Sequence, residues 1–183
     1  MNINITQSVK EIQAGKVIAY PTEAVYGLGC DPFNQQAFDD LLALKNRPIS
    51  KGVILVAANI EQIKSLVKIE NEVWTEQILA SWQNKEQAIT WVIPTTNKTP
   101  NWLTGGRNTL AVRITHHIQI KKLCNLLNSP IVSTSANLSQ QHPIKTAEEC
   151  LQIFPKIAVL EGKISGLKQP SQIWDAQTIK QLR

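Results

Sequence analysis

Residues 53–58 read VILVAA, an apolar run with no polar face. A strand of that kind is covered on both sides. Any fold that holds it must lay other elements over both faces of a sheet. The rest of the chain supplies them. Further strands are expected over residues 17–20, 88–93, 109–114, 131–133, 157–160 and 172–175. Helical spacing lies between them. Thr6 is the expected N-cap, with Ile5 as staple, of a helix closed by Gly15. A second helix runs over 35–45 and stops before Pro48. Asn59 is expected to cap a helix through Val67. Others are read over 72–82, 116–127 and, capped by Thr146, 146–154. Strands and helices alternate, so the class is α/β: one domain over 1–183, with a twisted mixed β-sheet flanked by helices.

The 183 residues carry a net charge of +5, which favours a polyanionic partner, nucleic acid or a phosphorylated ligand. No apolar run reaches the roughly 20 residues of a membrane span. The first ten residues, MNINITQSVK, lack the basic and apolar regions of a secretion signal. Cys30, Cys124 and Cys150 are odd in number and far apart, which suits a reducing cytoplasm.

Four polar clusters fall at the ends of expected elements. Thr22 and Glu23 follow the strand over 17–20, in YPTEAVYGLG, where Pro21 ends the ladder and Gly27 and Gly29 allow a tight turn or a close approach. Ligands of open α/β sheets bind beside such strand ends. Lys45 and Arg47 leave a helix together. They either complement its macrodipole or grip phosphate oxygens. Arg113 interrupts LAVRI, a strand that also carries Thr109. A charge there must pair with a carboxylate, Glu23 or Asp31, or face a ligand. Ser133, Ser135 and Asn137 are spaced by two. They share one face if the strand continues, or else satisfy a local turn.

Other signals are weaker. Gly27-Leu28-Gly29 is no dinucleotide fingerprint, because the third glycine would fall at Pro32. There is no GxxxxGK[ST] phosphate loop. His116 and His117 are adjacent and do not share a helical face, and no spacing makes a zinc site. Cys30 has no neighbouring histidine and reads as an inert thiol. The five tryptophans read mostly as packing.

Taken together, YPTEAVYGLG, Lys45-x-Arg47, LAVRI and STSANLS (133–139) resemble the YrdC/TsaC family of threonylcarbamoyl-AMP synthases, in its short single-domain form. The resemblance implies a YrdC-like fold with a concave basic surface. It implies a cytoplasmic nucleotidyltransferase of tRNA processing. L-threonine, bicarbonate and ATP would give L-threonylcarbamoyladenylate and pyrophosphate, for threonylcarbamoyladenosine next to the anticodon. Mg2+ is expected with the triphosphate, without a tightly bound protein metal site. A tRNA threonylcarbamoyl-transfer complex would receive the product, and tRNA or double-stranded RNA is a further expected partner. The implied threonine contacts are Thr22, Arg113 and Ser133. The implied ATP contacts are Lys45, Arg47, Thr109, Ser135, Asn137 and Ser171, with Lys45 and Arg47 as the catalytic cations. The chain departs from the family pattern at Gln172, at Lys51-Gly52 and over residues 82–90. The alternative is a non-catalytic RNA-binding or ribosome-maturation module.

Overall fold

A computed structural model describes residues 1–137 and 141–183. Among them one mixed sheet runs through the molecule. In chain order its strands are β1 (Asn2–Ile3), β2 (Ile18–Pro21), β3 (Tyr26–Gly29), β4 (Ile54–Ala57), β5 (Ile89–Pro94), β6 (Thr109–Ile114), β7 (Ile131–Ser135), β8 (Ala158–Leu160), β9 (Gln172–Asp175) and β10 (Lys180–Gln181). Their spatial order is β1-β8-β2-β3-β7-β4-β6-β5-β9-β10. The helices are α1 (Ile5–Gln13), α2 (Gln35–Leu44), α3 (Thr75–Ser81), α4 (Ile118–Leu127) and α5 (Ala147–Ile153).

The apolar run behaves as its composition requires. Leu55 and Ala57 point into one core, with Phe38 and Leu41 of α2, Ile78 of α3 and Cys150 of α5. Val56 and Ala58 point into the other, with Ile12 of α1 and Ile120 and Leu123 of α4. Period-two alternation thus feeds both faces from one strand. The central β4 pairs with β6 in parallel and with β7 antiparallel. No helix among the described residues is long and apolar enough to cross a membrane.

Several expectations are corrected. The cap of α1 is Asn4, not Thr6. Asn4 Oδ1 accepts from Gln7 N at 3.0 Å, and Gln7 Oε1 accepts from Asn4 N at 2.9 Å, a reciprocal capping box. No α-helix follows Asn59. Only a 3-10 turn, Ile60–Gln62, forms there; the Gln62 side chain accepts from Ala58 N at 2.8 Å and donates to the Cys124 carbonyl at 2.9 Å. The helix expected over 72–82 shrinks to Thr75–Ser81. The glycines make no tight turn: Tyr26–Gly29 is a strand that pairs antiparallel with β2. Its glycines serve close approach. A Cβ on Gly29 would lie 2.1 Å from the Val132 carbonyl oxygen and 2.8 Å from Cε1 of Tyr20.

Candidate active site

The turn over residues 22–25 joins β2 to β3 and is closed by Thr22 N donating to the Val25 carbonyl at 3.0 Å. The segment after β8 crosses over this turn. Ser165 N donates to the Thr22 carbonyl and Leu167 N to the Glu23 carbonyl, at 3.2 and 2.9 Å. Beside this turn lies a hollow of about 180 Å³, walled on one side by Gln169, Pro170 and Ser171. It opens on the face of the sheet that carries Ile54, Arg113 and Ser133, where α1 and α4 no longer cover it.

Six of the nine implied substrate contacts line this hollow: Thr22, Arg47, Arg113, Ser133, Ser135 and Ser171. They come from five separate places in the chain, and the fold brings them together. The Thr22 hydroxyl donates to the Val25 carbonyl at 2.7 Å and so keeps its acceptor lone pairs. Arg47 is braced by the Gly52 carbonyl, 3.1 Å from Nε and 2.9 Å from Nη2. Burial, and then the nearby Arg183, hold its guanidinium below the ordinary value. The Ser171 hydroxyl lies 2.8 Å from that of Thr90, which is fully buried.

Three sequence candidates are placed otherwise. Lys45 borders the hollow without lining it, and its Nζ donates to the carbonyls of Ser135, at 2.6 Å, and Asn137. Asn137 does not share the row of Ser133 and Ser135, because β7 ends at Ser135. Its amide donates instead to the Gln141 carbonyl at 3.0 Å. Leu138 and Ser139 of STSANLS lie outside the described residues. Thr109 shares a face of β6 with Arg113, but four residues upstream, roughly 13 Å away, and outside the lining.

Of the two carboxylates proposed for Arg113, the structure selects Glu23. Arg113 Nη2 lies 3.3 Å from Glu23 Oε2, and both side chains are buried. Burial works to raise the Glu23 carboxyl. The Arg113 charge and the Thr115 hydrogen bond outweigh it, so the net shift is downward. Arg183 was not foreseen as a lining residue. Its Nη2 donates to the Ser171 carbonyl at 3.1 Å. Nothing in the sequence distinguishes it, because pairing of residues 182 and 183 with Ile173 is what turns it inward.

The rejected candidates are structural. His116 Nε2 lies 2.8 Å from the Trp82 carbonyl, and His117 Nε2 lies 2.9 Å from that of Lys163. Cys30 is buried, and burial pushes its thiol up to about 12. Trp82 and Trp91 are core residues, and Trp82 Nε1 donates to the Ile89 carbonyl at 3.0 Å, which folds the unusual 82–90 segment back on itself. Among the described residues no cluster of three or more His, Cys, Asp or Glu side chains is placed to hold a metal ion.

A family model, Sua5/YciO/YrdC, described as "Telomere recombination", matches residues 10–183. The chain belongs to the Sua5/YciO/YrdC family. A Hydrogenovibrio crunogenus protein named threonylcarbamoyl-AMP synthase is 56% identical over 181 residues, which cover 99% of this chain and 97% of that one. A Yersinia pestis protein of the same name is 45% identical, covering 100% of this chain and 96% of that one. Among solved structures, P. abyssi Sua5 complexed with L-threonine superposes with a TM-score of 0.86 at 28% identity. The match covers 97% of this chain and 54% of that longer protein. The structure of E. coli YciO shares the fold, with a TM-score of 0.80 at 20% identity, covering 96% of this chain and 87% of that one.

Proposed function

We infer that this chain is a threonylcarbamoyl-AMP synthase, a cytoplasmic nucleotidyltransferase of tRNA modification. It joins L-threonine, bicarbonate and ATP into L-threonylcarbamoyladenylate and releases pyrophosphate. The observation that carries the reading is the meeting of Thr22, Arg47, Arg113, Ser133, Ser135 and Ser171 in one hollow. Relatives that match along nearly their full length and carry the enzyme's name support it.

The enclosed volume lies below the roughly 300–1,000 Å³ of larger ligand sites. It suits the amino acid, and the nucleotide extends over the rim. Arg113, Thr22 and Ser133 hold threonine. Arg47 and Ser135, with Lys45, Asn137, Thr109 and Ser171 around them, hold ATP, which brings its Mg2+ on the triphosphate. The threonine α-ammonium loses a proton to solvent, and the free amine and bicarbonate then form a carbamate and water. A carbamate oxygen then attacks the α-phosphorus, and pyrophosphate leaves. Nucleotidyl transfer of this kind needs positioning and charge neutralisation more than a protein nucleophile. The cations at the hollow supply both. The adenylate passes to a tRNA threonylcarbamoyl-transfer complex, and the positive net charge suits contact with tRNA or double-stranded RNA.

Pyrophosphate release is the test. It is expected only when ATP, L-threonine and bicarbonate are all present. Release that ignores either of the last two overturns the reading. It would return the chain to the other possibility, a non-catalytic RNA-binding or ribosome-maturation module.

A further inference from the structure

Glu23 is the one acidic side chain that lines the hollow, among the described residues. It is only 6% exposed. Its two oxygens are used very differently. Oε1 accepts from the Thr115 hydroxyl at 2.6 Å and from His116 N at 3.3 Å, and these bonds fix the plane of the carboxylate. Oε2 accepts no hydrogen bond, although Arg113 Nη2 stands 3.3 Å away. Arg113 Nε, also buried, has no partner either.

An arginine and a carboxylate that serve only each other close into a two-bonded fork. This pair does not close. Each member keeps one buried hydrogen-bonding atom unused, a costly arrangement unless a ligand completes it. The missing ligand must bring a donor for Oε2 and an acceptor for Nε, side by side. An α-amino acid zwitterion carries both groups on one carbon. The carboxyl stays ionised beside Arg113, so the hollow keeps both signs of charge.

We propose that Glu23 binds the α-ammonium of the amino-acid substrate through Oε2, beside the Arg113 guanidinium that takes its carboxylate. This rests on the reading of the hollow as the threonine site. The paired charges then read the substrate class. α-Amino acids enter, and 2-hydroxy acids of the same shape, which bring no cation for Oε2, are refused. Glu23 is a binding residue in this account. Its rigid backbone turn and the Thr115 bond aim it before substrate arrives.

Binding is measured directly by calorimetry, with a non-hydrolysable ATP analogue present. The wild-type chain is expected to bind L-threonine at least about ten-fold tighter than its 2-hydroxy counterpart, 2,3-dihydroxybutanoate, as one charge-assisted contact predicts. Glu23→Gln keeps the shape and the Thr115 bond but removes the charge. It is expected to lose about ten-fold or more in threonine affinity, leave the ATP analogue within about two-fold, and erase the preference over the hydroxy acid. Equal binding of the two acids by the wild-type chain overturns the proposal, and that measurement needs no variant to fold. So does an unchanged threonine affinity in Glu23→Gln. Threonine binding with these preferences but no threonine-dependent pyrophosphate release would overturn the synthase reading alone.

Discussion

Lys45 Nζ donates to the carbonyl of Ser135 at 2.6 Å, across 90 residues of sequence. The bond ties the exit of α2 to the end of β7. Burial, and then the neighbouring Arg47, push the Lys45 ammonium down to about 8. Between about 8 and the ordinary lysine value of about 10.4 the unfolded chain therefore binds more protons than the folded one. Stability is expected to rise with pH across that window, because the burial penalty is full only while the ammonium is charged. ATP affinity is expected to fall over the same window as the cation is lost. Lys45→Arg stays charged and should flatten the affinity profile. Melting curves and the KM for ATP between about pH 7 and 10 read both trends.

Arg113→Ala should do more than weaken substrate binding. It leaves Glu23 buried and ionised without the Arg113 charge, which costs about 3–5 kcal/mol. In the wild-type chain the Glu23 carboxyl is held below its unfolded value. Its contribution is therefore present above that value and is lost as pH falls through the folded one. In Arg113→Ala the sign reverses, since protonation relieves an unpaired charge. Denaturant midpoints at neutral and acid pH should converge for the two proteins. A constant difference would contradict this account.

Thr90 and Ser171 share one buried hydrogen bond and should behave as a coupled pair. Thr90→Val alone strands the Ser171 hydroxyl and is expected to cost about 1–3 kcal/mol, as is Ser171→Ala. The double variant should cost less than their sum, with a coupling of about 1 kcal/mol in a double-mutant cycle. Simple additivity would show that the contact is not energetically shared.

Gly29→Ala is expected to cost at least about 3 kcal/mol or to prevent folding. Its new Cβ meets backbone, the Val132 carbonyl, which no side-chain rotation can move aside. Gly106→Ala is the control. Nothing lies within 4 Å of a Cβ there, and only its positive φ of 84° opposes it, at about 1–2 kcal/mol. Comparable melting temperatures for the two variants would rule out close approach as the reason for Gly29.

Local chemistry decided what the sequence determined by itself. VILVAA had to be covered on both faces, β9 stands at the expected 172–175, and an arginine inside LAVRI had to find a partner. Those conclusions need only side-chain polarity and a period of two or 3.6. The tertiary structure decided wherever a distant group competes with local preference. Asn59 offers a cap, yet the chain after it makes only the 3-10 turn Ile60–Gln62, whose Gln62 side chain reaches the Cys124 carbonyl. A pair of glycines reads equally as a tight turn or a close approach until β7 and Tyr20 press against them in a strand. Glu23 and Arg113 are 90 positions apart, and Arg183 ends the chain. Their meeting at one hollow depends on strand order, which no spacing along the chain encodes.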